Sequence, residues 1–324
     1  MSCPISTDVN RAAEMLKNGK LVAFATETVY GLGAYALNSL AVASIFEAKG
    51  RPTFDPLIVH VANTAQLEPL ISNFPEQARQ LAEQFWPGPL TLVLPKTDRV
   101  PDLVTANLAT VAVRIPDHPQ ALELLSVAGI PIAAPSANRF GQVSPTTAGH
   151  VADQLGNEID LILDGGPCRV GVESTVLQLC ADGPRLLRHG GVPLEQLEAQ
   201  IGPIQVTDLV EHPAAQSPAG PGMLKKHYAP SVLVKIVVDL QGFETEPNQH
   251  VGLLSFQQPS ELVLAKFDRV EILSPTGDLR EAAAKFFSAL RKLDAESLDL
   301  IVATPFPEQG LGRALNDRLQ RAAS

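Results

Sequence analysis

The stretch from LVAFATETVYGLG to KGRPTFDPLIVH constrains this chain most, because it orders a strand, a glycine turn, a helix and a basic loop in succession. Gly31 and Gly33 follow the apolar pattern LVAFA and let the backbone turn tightly. A helix predicted over residues 40–48 then delivers Lys49 and Arg51, and the apolar run PLIVH continues as a second strand. This order predicts an α/β fold in which two cations lie beside a strand, an arrangement that suits an anion.

Length and composition limit the function classes. A chain of 324 residues has room for about two domains, and 45% hydrophobic with 19% charged residues is typical of a globular enzyme. The formal net charge of −10 argues against nucleic-acid binding by bulk electrostatics, which requires a basic face. Cys3, Cys168 and Cys180 form no CxxC pattern, which favours a reducing compartment over a disulfide framework or a zinc site. No stretch reaches the roughly 18 apolar residues of a membrane span, so we predict a cytoplasmic protein.

Helical periodicity recurs between strand patterns in the first 200 or so residues. The first helix is predicted to begin at a cap formed by Thr7 or Asp8, and Ser39 is the predicted cap of the helix over 40–48. Pro145 predicts the start of a later helix, because its fixed backbone angle suits a first turn. The remaining predicted helices of this half cover residues 64–71, 75–85, 118–128 and 145–155.

A change in composition divides the chain. Residues 206–230 are rich in proline and glycine, which predicts an interdomain linker. Beyond it, strand patterns such as HVGLLSF and LDLIVAT alternate with the amphipathic helix patterns LREAAAKFFSALRKL and GLGRALNDRLQRAA. We therefore predict a domain over residues 1–205, a linker over 206–230 and a small α/β domain over 231–324.

Polar side chains follow four of the predicted strands where each strand ends: Thr28, then Arg114, then Ser136 with Asn138, and then Ser174 with Thr175. In open α/β sheets, ligands bind where strand ends and the following loops converge. Arg51, Arg114 and Arg188 carry planar guanidinium groups that suit phosphate and carboxylate oxygens, whereas Lys49 supplies a point charge. Together these cations are sufficient for a triphosphate and one carboxylate.

Several of these residues also fit other interpretations. The glycine pair matches no phosphate-loop motif, and Lys49 with Arg51 also fits a cationic helix end. His60 at the end of an apolar strand fits a buried, hydrogen-bonded histidine as well as a ligand contact. Glu27 and Glu173 fit either magnesium ligands or loop caps. No catalytic triad order, no acid and base carboxylate pair and no HExxH motif stands out, so nothing in the sequence demands a covalent intermediate.

The motifs TETVYGLG, KGRP followed by PL and His60, VAVRIP, APSAN with a later SPT, ESTV and LRHG occur in this order. As a set they closely resemble the YrdC-type threonylcarbamoyl-AMP synthases, and SPAGPGMLKKHYAP followed by a small α/β domain is similar to the long, two-domain form. Two positions depart from the family pattern, since Ala25 stands where proline is usual and Asp55 where asparagine is common. The resemblance implies an α/β fold with an N-terminal YrdC-like twisted open mixed sheet and flanking helices, plus a smaller C-terminal Rossmann-like α/β domain.

The resemblance also implies an activity and its residues. The activity is synthesis of L-threonylcarbamoyladenylate from L-threonine, bicarbonate or CO2, and ATP with Mg2+, releasing pyrophosphate. The product passes to a tRNA threonylcarbamoyltransferase that modifies the adenosine beside the anticodon. The implied threonine-binding residues are Thr28, His60, Arg114, Ala134 and Ser174. The implied ATP-binding residues are Arg51, Asp55, Thr110, Ser136, Ser144, Arg188 and Tyr228. Lys49 and Arg51 are the expected catalytic residues, because they face the phosphates and align them.

Tyr228 and two other functions remain open at this point. Tyr228 is either part of a linker lid that excludes water from a labile adenylate or an aromatic anchor that docks the linker. A non-catalytic RNA-binding protein is the first rival, and the net charge argues against it. A carbamoyl-transfer domain is the second rival, although such domains usually lie in larger, cysteine-rich chains.

Overall fold

The structure is a computed structural model that describes residues 3–180, 182–207 and 228–323. Fifteen strands in these ranges form two sheets. The first sheet contains β1 (Ile5–Ser6), β2 (Val22–Phe24), β3 (Gly31–Tyr35), β4 (Ile58–His60), β5 (Leu90–Pro95), β6 (Thr110–Arg114), β7 (Ile132–Ala133), β8 (Leu161–Leu163), β9 (Thr175–Cys180), β10 (Gly183–Arg188) and β11 (Gln205–Val206). The second contains β12 (Val234–Ile236), β13 (Val251–Ser255), β14 (Arg269–Ile272) and β15 (Leu300–Ala303).

Ten α-helices and one 3₁₀ segment occur in the described residues. They are α1 (Val9–Lys17), α2 (Ser39–Lys49), the 3₁₀ turn Thr64–Leu67, α3 (Glu76–Phe85), α4 (Asp102–Thr105), α5 (Pro119–Ala128), α6 (Ala148–Leu155), α7 (Leu194–Ile201), α8 (Glu261–Leu264), α9 (Leu279–Asp294) and α10 (Leu311–Ala322). None of the helices in the described ranges combines the length and apolarity that crossing a membrane requires.

The first sheet is mixed, with the strand order β1-β8-β2-β3-β7-β4-β6-β5-β9-β10-β11. Its central strands β4 and β6 run parallel, and His60 is the register partner of Arg114. The strand residues Ile58, Val59 and Val113 are buried, as expected near the centre of a sheet. Two strands from different parts of the chain therefore end side by side, each with a polar residue at its end.

Two helix starts differ from the prediction. Asn38, not Ser39, caps α2, because the Asn38 side chain accepts hydrogen bonds from the next backbone N–H groups and Ser39 is already helical. The helix predicted from Pro145 begins at Ala148 instead, with Thr147 as its cap. The physical reason is that the Pro145 carbonyl accepts a hydrogen bond from Tyr30 N, which holds this residue against the neighbouring loop. Asp8 caps α1 as predicted.

The second sheet is parallel throughout, in the order β12-β15-β13-β14. Helix α9 buries one apolar face that includes Phe286 and Phe287. With the mixed first sheet, this arrangement confirms the predicted fold class. Of the predicted linker, residues 208–227 lie outside the described residues.

The two sheets share an apolar cluster. Val29, Val143 and Val172 from loops of the first sheet pack in one buried cluster with Phe287 of α9 and Leu319 of α10. The backbone carbonyls of Val143 and Ser144 accept hydrogen bonds from Arg291 of α9. The C-terminal helices therefore pack on the loops that follow the strands of the first sheet.

Candidate active site

One cavity of about 60 Å³ gathers most of the residues singled out in the sequence. A single water needs about 10–15 Å³, so this cavity has room for a small molecule. Glu173 also lines the cavity. The predicted residues among its walls are Thr28, Arg51, His60, Arg114, Ala134, Ser136, Ser174, Arg188 and Tyr228.

Arg114 is fixed at the end of β6 by three contacts. Its Nε donates to the Gly88 carbonyl at 3.2 Å and its Nη1 to Thr28 Oγ1 at 3.0 Å. Its Nη2 pairs with Glu27 Oε1, and both side chains are buried. The second carboxylate oxygen of Glu27 has no hydrogen-bond partner among the described residues. Arg114 therefore presents a fixed cation to the cavity, and Glu27 balances that charge.

His60 is neutral in this site. Burial, reinforced by the nearby charge of Arg114, lowers the pKa of His60 to about 3. Its ring meets Phe24 edge to face with centroids 6.0 Å apart, and its Nδ1 has no hydrogen-bond partner in the described part of the chain. A neutral imidazole can accept a hydrogen bond from a ligand donor.

The basic loop after α2 folds around its own backbone. Gly50 adopts a left-handed conformation with φ of 63°, which lets the chain reverse after Lys49. Arg51 Nε donates to the Asp55 carbonyl at 3.2 Å, and its Nη2 lies 2.9 Å from Asp55 Oδ2. Arg51 is thereby held against the cavity wall by a carboxylate on its own loop.

Lys49 does not line the cavity. Its Nζ donates to the backbone carbonyls of Ser136 and Asn138. Burial, followed by the charge of Arg51, holds the pKa of Lys49 well below its usual value. Lys49 therefore fixes the loop that carries Ser136, whereas Arg51 faces the cavity directly.

Arg188 reaches the cavity from the hairpin of β9 and β10. Strand β10 was not predicted from the sequence. A shift of register between Leu186 and Arg188 turns the strand end. Arg188 Nη2 donates to the Ser174 carbonyl at 2.9 Å and to Ser174 Oγ at 3.2 Å. Burial lowers the pKa of Arg188 to about 10, which leaves the guanidinium charged at neutral pH.

Glu173 links Ser144 to helix α10 of the C-terminal half. Its Oε1 accepts a hydrogen bond from Ser144 Oγ at 2.7 Å, and its Oε2 accepts from Arg318 Nε of α10 at 3.1 Å. Burial raises the pKa of Glu173, but Arg318 and Arg188 outweigh this and bring it to about 2. Both Glu27 and Glu173 are thus paired with arginines. Among the described residues, no group of three or more His, Cys, Asp or Glu side chains converges on a metal position.

Arg318 was missed in the sequence, although a signal exists. In α10, Arg318 falls in the same helical stripe as Leu311, Leu315 and Leu319, at positions where an amphipathic helix buries apolar residues. A charged residue in such a stripe requires a buried partner.

Tyr228 lines the cavity near Arg318. It is almost completely buried and has a left-handed backbone with φ of 66°, which is unfavourable for a tyrosine. The centroid of its ring lies 5.3 Å from the centroid of the Phe287 ring. Arg318 Cζ lies 5.7 Å from the same Tyr228 centroid. Burial raises the pKa of its phenol to about 12.

Besides Lys49, three further predicted residues do not line the cavity. Thr110 begins β6 and Arg114 ends it, so the two lie about 13 Å apart at the usual strand rise. Asp55 pairs with Arg51 and reaches the site through it. Ser144 reaches the site through Glu173.

Comparison with known proteins identifies relatives of both halves of the chain. A family model for Sua5, YciO and YrdC, described as telomere recombination, matches residues 14–190, and a model for the threonylcarbamoyl-AMP synthase C-terminal domain matches residues 192–324. A threonylcarbamoyl-AMP synthase of Pyrococcus abyssi is 46% identical over 316 residues, covering 96% of this chain and 93% of its own. One of Bacillus subtilis is 46% identical over 324 residues, covering 97% and 92%.

A solved structure agrees over both sheets. The crystal structure of P. abyssi Sua5 complexed with L-threonine superposes with a TM-score of 0.89 at 44% identity, covering 97% of this chain and 94% of that one. Because a family model spans more than half of the chain and these relatives match it over nearly their whole length, the chain belongs to the two-domain threonylcarbamoyl-AMP synthases of the Sua5/YciO/YrdC family.

Proposed function

We propose that this chain forms L-threonylcarbamoyladenylate from L-threonine, CO2 or bicarbonate, and ATP, and releases pyrophosphate. The observation that carries the proposal is that one cavity is lined by three buried guanidinium groups, those of Arg51, Arg114 and Arg188, and by a buried, neutral His60. Three cations in one cavity suit a reaction whose substrates carry phosphate and carboxylate groups. The P. abyssi relative was crystallised with L-threonine, which supports threonine as one of them.

Threonine is assigned to the strand ends. The Arg114 guanidinium pairs with the threonine carboxylate, since it is a fixed cation at the end of a buried strand. His60, with an open nitrogen, accepts a hydrogen bond from the substrate. The remaining proposed contacts come from Thr28, the backbone of Ala134, and Ser174. A site that hydrogen-bonds a substrate hydroxyl or amine rejects analogues lacking that group more strongly than an apolar pocket does.

ATP is assigned to the arginines of the basic loop and the hairpin. Arg51 and Arg188 hold the phosphate oxygens, and Lys49 positions the Ser136 loop from behind. Asp55, Thr110, Ser136, Ser144 and Tyr228 complete the proposed nucleotide contacts. Mg2+ accompanies the triphosphate and neutralises part of its charge, and it commonly binds through phosphate oxygens and few protein carboxylates. Glu27 and Glu173 are each paired with an arginine. This pairing is compatible with a metal held mainly by phosphate oxygens, which needs no cage of protein carboxylates.

The chemistry consists of two bond-forming steps. The neutral threonine amine attacks the carbon of CO2. A new N–C bond forms as the electron pair of one C–O π bond moves to oxygen, and the nitrogen loses a proton to solvent. A carbamate oxygen then attacks the α-phosphorus, and the bond to the β-phosphate oxygen breaks as pyrophosphate leaves. Both partners of the second step are anions, so the work of the protein is alignment and charge neutralisation by Arg51 and Arg188, with no protein nucleophile.

The wider setting is part of the same proposal. Residues 1–205 form the catalytic domain, 206–230 the interdomain linker, and 231–324 the small domain. The adenylate passes to a cytoplasmic tRNA threonylcarbamoyltransferase, because a mixed anhydride of this kind is labile in water and requires a prompt acceptor.

The test is a product assay. The purified chain is incubated with ATP, Mg2+, labelled bicarbonate and one amino acid at a time, and pyrophosphate and labelled adenylate are measured. We expect both products with threonine and far less with valine, which lacks the hydroxyl. Pyrophosphate release that does not depend on threonine would contradict the proposal, as would release that requires carbamoyl phosphate.

A further inference from the structure

An ion pair between the two sheets reaches the wall of the catalytic cavity. Arg318 of α10 donates from Nε to Glu173 Oε2 at 3.1 Å and from Nη1 to the His189 carbonyl at 2.6 Å. The Arg318 side chain is fully buried, and the Glu173 side chain is 8% exposed. Asp317, at 2.7 Å from Nη1, provides a second carboxylate. The guanidinium is therefore fixed by groups from both sheets.

Neither charge is stable in this place alone. A buried carboxylate or guanidinium loses its hydration, and removing one member of such a pair leaves the other uncompensated. Although burial raises the pKa of Glu173, Arg318 is the largest of the effects that lower it to about 2. Glu173 keeps its charge and its position because Arg318 is present.

Glu173 passes this constraint to residues on the nucleotide side. Its other oxygen holds the Ser144 hydroxyl at 2.7 Å, and its negative charge acts on Arg188. Arg318 Cζ also lies 5.7 Å from the centre of the Tyr228 ring, a favourable position for a cation over an aromatic ring. Ser144, Arg188 and Tyr228 are the three proposed ATP contacts nearest to α10 in this network. Of the proposed threonine contacts, Ser174 touches this network, because Arg188 donates to its carbonyl and hydroxyl. The proposed carboxylate ligand Arg114 and the acceptor His60 make no contact with the network among the interactions described above.

We infer that Arg318 is a positioning residue for ATP, supplied by the C-terminal domain, which acts by fixing Glu173 and through it Ser144, Arg188 and Tyr228. The inference rests on the proposed function, since it assumes that these three residues hold ATP. It gives the C-terminal domain a role in the nucleotide site. Arg318 itself need not touch ATP.

The test separates the two substrates. Arg318→Met keeps much of the volume and removes the charge, so we expect the KM for ATP to rise about tenfold, a typical size for coupling within one network, while the KM for threonine changes less than twofold. Arg318→Lys restores the charge but not the planar fork, and we expect an intermediate KM for ATP. A purely structural role would lower the active fraction, and therefore kcat, with both KM values unchanged.

The pairing with Glu173 is tested by a double variant. Glu173→Gln with Arg318→Met removes both charges while retaining a side chain that can bond Ser144, so its KM for ATP is expected to be at least threefold lower than that of Arg318→Met alone. The control is Arg313→Met, which breaks the partly exposed pair between Arg313 of α10 and Glu195 at 2.8 Å across the same boundary. We expect its KM for ATP to stay within twofold of wild type.

The outcomes are distinct. Three results would each overturn the inference. The first is an unchanged KM for ATP in Arg318→Met, and the second is an equal rise of the KM for both substrates. The third is that the effects of Glu173→Gln and Arg318→Met on the KM for ATP simply multiply in the double variant. An inactive wild-type chain in the threonine-dependent assay would instead refute the proposed function.

Discussion

His60 and Arg114 end neighbouring parallel strands as register partners, so their side chains leave the sheet side by side and both line the same cavity. Register partners on parallel strands face the same side of the sheet, and burial places both groups in a medium that disfavours charge. Arg114 donates hydrogen bonds there to Thr28 and Glu27. The pair thus combines a fixed cation with a neutral acceptor.

The first prediction concerns the pH dependence of stability. The pKa of His60 is about 3 in the folded chain and about 6.5 in an unfolded one. The unfolded state therefore binds more protons between these values, and stability is lost as the pH falls below about 6.5. We expect His60 to contribute a loss of up to about 1.4 kcal/mol per pH unit, measured by urea unfolding at pH 7, 6 and 5. His60→Gln should flatten this slope and exposed His250→Gln should leave it unchanged; parallel slopes in all three proteins would contradict the prediction.

The second prediction concerns the pair between Arg114 and Glu27. Arg114→Ala leaves the buried Glu27 carboxylate uncompensated, so we expect the free energy of unfolding to fall by about 3–5 kcal/mol. Adding Glu27→Gln should recover most of that loss, because the uncompensated charge is then gone. Threonine binding, measured by calorimetry, should remain absent in both variants. Recovery of threonine binding in the double variant would show that Arg114 is not the carboxylate ligand.

The third prediction concerns the basic loop. Arg51→Ala removes a guanidinium from the cavity, and we expect kcat/KM for pyrophosphate release to fall by about 10²–10³. Lys49→Ala should cause a comparable loss by a different route, since the Ser136 and Asn138 carbonyls lose the ammonium that orders their loop. Both variants should remain folded by circular dichroism. Arg139→Ala, which removes an exposed arginine near this loop, is the control; near-normal turnover by Lys49→Ala and Arg51→Ala together would disprove the assignment.

The fourth prediction concerns Tyr228 as a barrier to water. Tyr228→Ala removes the buried ring beside Phe287 and Arg318, so water should reach the adenylate and hydrolyse it. We expect the ratio of adenylate to pyrophosphate to fall, because an open site no longer excludes water. Tyr228→Phe keeps the ring and should retain the ratio within about threefold, which separates packing from the phenol. An unchanged ratio in Tyr228→Ala would leave only the role of an anchor.

Much of the fold was accessible from local patterns. Alternating strand and helix periodicities predicted the α/β class, and the ordered motifs from TETVYGLG to LRHG predicted the enzyme family; both predictions are confirmed. Helix ends were predicted less well. Asn38 and Ser39 both carry a side-chain oxygen that can cap a helix. Which of them caps α2 depends on where the backbone becomes helical, and residue type alone does not show this. The individual ligand contacts and the domain boundaries stay predictions.

The sequence by itself determined which polar residues end the strands, because hydrophobic periodicity marks those ends and residue type sets the available charge. Only the tertiary structure decided how each charge is used. Lys49 is bound to backbone carbonyls, Arg114 is paired with Glu27, and Glu173 is paired with Arg318, 145 positions away. Such pairings depend on how strands and domains pack, and a buried charge takes whichever partner that packing brings within reach. The basic loop of residues 49–51 shows the difference most clearly, since its two cations are two positions apart and only Arg51 faces the cavity.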